Sequence, residues 1–384
     1  MRILFAAPVW WPSHAFGGPV VAARELVRRL VDRGHDVDVI TSTIVSVGER
    51  PLLRSSTRIV DGATVHYVGT PLRYRWMAIT PTLPYVLTRT PRPDVVHIFG
   101  FRDAVTTGSA AWCRLRGIPY VFEPLGMFRP RLRKVRLKRA LDATLYRGVV
   151  LGAAAVVVAS ERERDDVIAG GVPPRRVTVR GNGFPEPTAR SGGDLRTRLG
   201  IPDSAPVLLY VGRIAAGKGI EHLVAAVDSL PDGHLVVVGP DDRHGAARLL
   251  EGEGIHVLPM TTEPPVGLYP QADVFVLPSA GESFGMAAAE AAASGTPVIV
   301  SDRCGIAGFF EEGEALVVPY ERDAVVDAVR RVVTDPALRE RLARGGLEAA
   351  HRMSWDRVTD RQEAIYRDVL ASRTAATKCS TEVS

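Results

Sequence analysis

Short apolar runs alternate along this chain with longer segments in which apolar residues recur every three or four positions. RILFAAP (2–8) reads as a strand, VVAARELVRRLVDRG (20–34) as an amphipathic helix closed by Gly34, and DVDVITS (36–42) as the next strand. TVHYVG (64–69), DVVHIFG (94–100) and PYVFEP (119–124) continue the strand series. After GNGFPEPTARSGGD (181–194), a linker by its Gly, Pro and polar content, the pattern restarts. VLLYVGR (207–213), HLVVVGP (234–240), IHVLP (255–259), DVFVLP (273–278) and PVIVSD (297–302) are again strands with helical segments between them. The runs are rich in Val and Ile and apolar on both faces, which is the pattern of a parallel sheet covered by helices on both sides. The expected fold is therefore α/β, with two Rossmann-like β/α/β domains facing a cleft. The domains are placed at 1–185 and 195–354. WDRVTDRQEAIYRDVL (355–370) is expected to be a helix packing back toward the first domain, and 371–384 a frayed tail.

Composition narrows the classes. At 384 residues with 46% hydrophobic content, the chain can build sizeable cores. The longest apolar stretch, VVLGAAAVVVA (149–159), is too short to span a bilayer and reads as a helix end running into a buried strand. Three cysteines, Cys113, Cys304 and Cys379, fit a reducing cytoplasm better than a disulfide frame or a thiolate metal site. Charge is uneven. Residues 1–190 carry 29 Lys+Arg against 15 Asp+Glu, a net +14, while 191–384 carry 19 against 28, a net −9. The densest run, RPRLRKVRLKR (129–139), suits an anionic membrane surface or an acidic substrate, or is a solvated helix face. Nucleic acid is not expected, because no recognition motif accompanies the charge and half of the chain is acidic.

Candidate chemistry gathers where strands end. In GESFGMAAAE (281–290) Glu282 and Glu290 stand eight positions apart. On one helix they would lie on different faces. The better reading puts Glu282 in a loop and Glu290 in the second turn of a helix starting near Gly285. The amides of Ser283, Phe284, Gly285 and Met286 are then free at a positive helix end, a geometry that suits a phosphate. A Glu placed there merely to complement the helix dipole is the plainer alternative. GRIAAGKG (212–219) puts Arg213 and Lys218 at another strand end. Gly219 stands where a Walker loop needs Ser or Thr to hold magnesium, so the two cations better suit a diphosphate leaving group handled without metal. After the first strand, Gly17 and Gly18 allow close backbone approach, and Trp10 and Trp11 could stack on a sugar ring or simply pack. Asp36-Val37-Asp38 resembles a DxD metal motif but lies in a strand and reads as structural.

Together these features resemble the retaining, GT-B-fold glycosyltransferases of family 4, over nearly the whole chain. FVLPSAGESFGMAAAEAAASGTPVIVSD (275–302) is similar to the family's E-x7-E region, and YVGRIAAGKG (210–219) to its G-R-x4-K-G stretch. GGP (17–19) and GNG (181–183) resemble its glycine loop and interdomain turn. The resemblance implies that Glu282 meets the donor-sugar hydroxyls and that the amides of Phe284, Gly285 and Met286 meet the sugar and distal phosphate. It implies further that Glu290 holds the ribose, that Arg213 and Lys218 hold the departing diphosphate, and that Gly18, with Gly17 beside it, approaches the phosphate. Two departures stand out. Leu125 in Pro124-Leu125-Gly126-Met127 replaces a family His that meets the donor sugar, and GPDDR (239–243) replaces a Gly-x-Gly-Pro turn. Either Glu123 or another group, with His14 and His97 the remaining candidates, takes the missing contact, or the donor sugar differs at that hydroxyl. His97, in an apolar strand, reads rather as a satisfied core or cleft-edge residue. His14, Trp11 and Glu123 are the candidate acceptor-binding residues.

The expected activity is transfer of a hexosyl or aminohexosyl unit from a nucleoside-diphosphate sugar, by family habit a UDP-sugar, with no metal and no other cofactor. The acceptor is either lipid-linked, with peripheral membrane contact through 129–139, or a soluble natural product such as an aminoglycoside. The second option follows from 44 Arg against 4 Lys, which points to a G+C-rich genome. The protein is expected in the cytoplasm, in part at the inner face of the membrane. A nucleotide-sugar epimerase of the same fold and a non-catalytic sugar-nucleotide-binding homologue are the competing classes.

Overall fold

The computed structural model describes residues 1–13, 17–45, 53–74, 77–128, 146–186, 194–241, 246–259 and 266–381. The chain forms two compact units. One comprises Met1–Arg180 together with the chain from Val358 onward, and the other Gly181–Arg357. The sequence reading put the two crossings at 185 and 354, a few residues from where the chain makes them.

In the first unit the strands are β1 (Arg2–Ala6), β2 (Asp36–Ser42), β3 (Ser56–Val60), β4 (Ala63–Val68), β5 (Leu72–Tyr74), β6 (Met77–Ile79), β7 (Val95–Phe99), β8 (Tyr120–Glu123), β9 (Ala155–Val158) and β10 (Val177–Val179). Eight of them make one sheet in the order β10-β9-β8-β7-β1-β2-β4-β3. All neighbours run parallel except β3, which pairs antiparallel with β4 as an edge. β5 and β6 form a separate hairpin. The strand order reverses beside β1, where β7 lies on one side and β2 on the other.

The second unit repeats the scheme. Its strands are β11 (Val207–Val211), β12 (His234–Val238), β13 (Ile255–Leu258), β14 (Val274–Leu277), β15 (Val298–Ser301) and β16 (Leu316–Val318), in the all-parallel order β13-β12-β11-β14-β15-β16. β11 and β14 are buried along their whole length, as strands covered on both faces must be. They are neighbours, with Leu208 opposite Val274 and Leu209 opposite Phe275, and the order reverses between them. In open parallel sheets that reversal leaves a crevice beyond the carboxyl ends of the two strands.

The helix beginning at Trp355 runs to Thr381, past Leu370, where the sequence reading ended it. The expected tail continues the helix because ASRTAATK holds mostly good helix formers and neither Gly nor Pro. This helix belongs to the first unit, tied there by a buried polar network. Glu123, 1% exposed, accepts from the Arg180 guanidinium at 2.9 Å and lies 3.1 Å from His97 Nε2. Arg180 also donates to Gln362 Oε1 at 2.7 Å, and His97 Nδ1 lies 2.7 Å from the Tyr366 hydroxyl. Arg180 is the last residue of the unit before the chain crosses out, and Gln362 and Tyr366 follow its return. Where it crosses, Phe184 N donates to Met353 O at 2.8 Å, so the outgoing and returning segments run side by side.

The charges of this network are paired, so removing one strands another. Glu123→Ala leaves Arg180 buried without its counter-ion and should cost about 3–5 kcal/mol. Calorimetry on the variant reads this as a lower transition temperature for the first unit.

Candidate functional site

The loops leaving β11 and β14 carry most of the residues singled out above, and the structure brings them together. The first loop runs from Gly212 to Gly219. Tyr210, buried in β11, donates its hydroxyl to Arg213 O at 2.9 Å and pins the turn from beneath. Burial raises the Tyr210 phenol, with the Glu282 carboxylate adding to the effect, so it stays a donor. Gly217 O accepts from Ala280 N at 2.8 Å, which stitches this loop to the exit loop of β14. Gly219, at φ 73°, sits so close to the Pro278 carbonyl that any Cβ would collide with it.

The second loop holds Glu282. It is fixed on both sides, with Glu282 N donating to Arg303 O at 3.3 Å and Gly305 N to Glu282 O at 3.0 Å. The helix Met286–Ala293 then begins at Gly285, and Glu290 lies in its second turn. The loop-then-helix reading of the two glutamates thus matches the structure. Gly285 is required by the packing around it. Its φ is 119°, and a Cβ would meet Ile306 at 3.1 Å and Leu277 at 3.2 Å, so the protein's own packing demands the glycine. Phe284 is likewise an anchor. Its ring is 2% exposed and packs edge-on to Phe309, leaving only its backbone to a ligand.

Charge in this site is matched within the protein. The Lys218 ammonium pairs with Glu282 Oε2, the two side chains being 17% and 27% exposed. The Tyr269 hydroxyl donates to Glu290 Oε2 at 2.6 Å. Burial pushes the Glu290 carboxyl up, opposed by that bond. Tyr269 itself is fully buried and its phenol stays protonated well above the ordinary range. Arg213, whose backbone oxygen the Tyr210 hydroxyl holds, is exposed. Tyr269 was missed in the sequence, where nothing in VGLYPQ marks its ring as reaching a glutamate 21 positions on.

The helix starts show a pattern of their own. Asp103, Ser160, Asp194 and Asp335 cap their helices with a side chain. The helices at Thr82, Tyr146 and Glu321 have no side-chain cap, and neither do those that follow β1, β11 and β14, which begin at Gly17, Gly219 and Gly285. These are the strands at or beside the points where strand order reverses. Their first amides are left to water or to a ligand.

In the first unit the outcome differs from expectation. Glu123 cannot meet an acceptor, because both of its oxygens are spent in the buried network. His97, with no exposed surface and both ring nitrogens partnered, is the satisfied core residue expected. Trp11 is half-buried, with the Arg24 guanidinium 3.9 Å over its ring and Arg24 bound in turn by Asp61. One face of that indole is therefore taken. Trp10 is core, 2% exposed. Asp36 pairs with Arg2 and Asp38 with His66, so the DxD look-alike is structural. His14 and the basic run 129–139 lie outside the described residues, as do 242 and 243 of the GPDDR turn.

The turn carrying Leu125 is clamped from two sides. Leu125 and Gly126 both have positive φ, 56° and 73°, and Met127 N closes the turn on Pro124 O at 3.0 Å. Arg102 donates to Met127 O and to Phe128 O, the latter at 2.8 Å. Glu163, 5% exposed, accepts from Gly126 N and from Ala159 N, the latter at 2.9 Å. An αL leucine is strained, and these bonds hold it there.

A cavity of about 480 Å³ opens elsewhere in the second unit, lined by Arg196, Asp273, Arg339 and Glu340 near the amino ends of β14 and β15. It contains none of Arg213, Lys218, Glu282 and Glu290. Among the described residues no helix is long and apolar enough to cross a membrane.

Comparison with known proteins agrees with this geometry. Residues 17–183 match the family described as "Glycosyl transferase 4-like domain" and residues 193–348 "Glycosyl transferases group 1". The D-inositol 3-phosphate glycosyltransferase of Acidothermus cellulolyticus is 30% identical, across 94% of this chain and 88% of its own length. D-inositol 3-phosphate glycosyltransferase 1 of Catenulispora acidiphila is 28% identical across 92% and 91%. Among solved structures, sucrose-phosphate synthase from Thermosynechococcus elongatus superposes with a TM-score of 0.74 at 22% identity, across 97% of this chain and 99% of that one. Anabaena Alr3699/HepE in complex with UDP-glucose gives 0.73 at 18% identity, across 97% and 100%. Two Rossmann-like units with phosphate-suited loops define the class, the GT-B glycosyltransferases. The chain belongs to the group 1, or family 4, members of that class, and it is a hexosyltransferase that draws on a nucleotide sugar.

Burial raises the Glu163 carboxyl from its ordinary 4.5 to about 7, against the pull of its two amide donors. A raised folded-state value means that this group favours the fold below the ordinary value, and the contribution is lost as pH climbs through about 7. Glu163→Gln should therefore flatten the fall of transition temperature between about pH 5 and pH 8. Parallel thermal scans of wild type and variant across that range check this.

Proposed function

We propose that the protein transfers a hexosyl or aminohexosyl group from a UDP-sugar, with retention of anomeric configuration and without a metal ion, to a hydroxyl of an anionic acceptor. The observation that carries the reading is the uncapped helix start at Gly285, placed where strand order reverses and beside Lys218. A diphosphate fits such a place, because free amides and a helix N-terminus favour negative charge. Lys218 and Arg213 supply fixed positive charge where negative charge grows on the diphosphate as the sugar–phosphate bond breaks, the task a divalent metal would otherwise perform. Glu282 accepts from sugar hydroxyls and Glu290 from the ribose, with Tyr269 fixing its free oxygen's direction.

UDP and retention rest on the family resemblance. An anionic acceptor is supported by the net +14 of residues 1–190 and by the inositol phosphate in the names of the relatives. The membrane-bound alternative rests on the same charge. Leu125, apolar and held in its clamped turn, offers no hydrogen bond, so the donor is one whose affinity does not depend on a hydroxyl contact from that position.

A thermal-shift screen of nucleotide sugars, followed by product analysis with inositol phosphates, tests the whole reading. Release of free isomerised donor without any acceptor would instead indicate an epimerase. With the donor found, Glu290→Ala should raise its KM by about 10–100-fold with a smaller change in kcat. Lys218→Ala should lower kcat by about 100–1,000-fold. Near-normal rates for both variants would place the chemistry elsewhere.

A further inference from the structure

The pairing of Lys218 with Glu282 has a functional reading that rests on the donor site proposed above. We propose that Glu282 is an internal rival of the diphosphate for Lys218, so that loss of the sugar drives release of the nucleotide. The two acids of the site are held differently. Glu290 accepts from a neutral phenol, which can stay in place while the other oxygen binds a hydroxyl. Glu282 is held by the cation that the phosphate also needs. Its backbone is fixed at both N and O, so only the side chain is free to change partners. Both side chains are largely buried, at 17% and 27% exposure, so neither charge is well solvated when it loses its partner.

The exchange follows from these constraints. When a nucleotide sugar arrives, its phosphate takes Lys218, and the carboxylate thus freed accepts from the sugar hydroxyls. Those hydroxyls compensate Glu282 for the partner it lost. Once the sugar has moved to the acceptor, Glu282 is left as a half-buried anion beside an anionic product, with no donor. It then repels the nucleoside diphosphate and competes for Lys218. Intact donor is retained and spent donor is expelled, although both present the same phosphates to the loop.

The consequence is measurable with UDP alone. Glu282→Gln keeps the shape and removes the charge, and should bind UDP about tenfold more tightly than wild type by titration calorimetry, with correspondingly slower dissociation in stopped flow. Lys218→Met should weaken UDP binding more in the Glu282→Gln background than in wild type, because the rival is already gone. Should the glutamine variant fail to fold, Glu282→Ser reads the same contrast. Unchanged or weaker UDP binding by a folded Glu282 variant overturns the exchange and leaves the donor-site reading standing. Failure of wild type to bind UDP, ADP, GDP or dTDP at millimolar concentration overturns the donor-site reading, and the exchange with it.

Discussion

A parallel strand covered on both faces has no place along its length for a polar side chain that lacks a partner. In β11 and β14 every position is buried and nearly all are apolar. Chemistry is thereby driven to the first residues beyond the carboxyl ends, where the covering helices have not yet begun. Arg213, Lys218 and Glu282 all stand there, and Glu290 follows one helix turn later. The reversal of strand order sets their company. Because β11 sends its chain one way and β14 the other, no strand lies between the two loops. The hydrogen bond from Ala280 N to Gly217 O ties their bases together, and the Lys218–Glu282 pair joins them further out.

Glycine completes the arrangement in two distinct ways. At Gly219 and Gly285 the backbone is left-handed and crowded by Pro278, Ile306 and Leu277, so no other residue fits. Gly17 has nothing within 4 Å of where a Cβ would stand. Its φ of 65° still favours glycine, but the space beside it is open. The same residue type thus marks a packing constraint in one unit and unfilled room in the other.

Much of this was legible in the sequence. The apolar, Val- and Ile-rich runs located β1, β2, β4, β7, β8, β9 and β11 through β15, since strands buried on both faces leave long apolar stretches. β3, β5, β6, β10 and β16 were not found. They are short or sit at sheet edges, and STRIV has its middle residues exposed. Glu282, Glu290, Arg213 and Lys218 were found because strand-end motifs announce themselves locally. Glu123 was misplaced because its fate depends on Arg180, 57 positions away, and on a helix that returns from the far end of the chain. Local pattern gives no sign of such a partner. Tyr269 and Glu163 escaped for the same reason, as each acts on a backbone or side chain brought near only by the finished fold.

The network around Arg180 and Glu123 bears on how the molecule comes into being. Gln362 and Tyr366 reach it from the helix beginning at Trp355, so the earlier-made unit closes its interior with residues synthesised after the whole of the second unit. The unit between the crossings, Gly181–Arg357, is translated whole before that helix is finished. The segment translated first is thus completed last. Until its helix arrives, it carries an arginine and a glutamate in an interior that is still open.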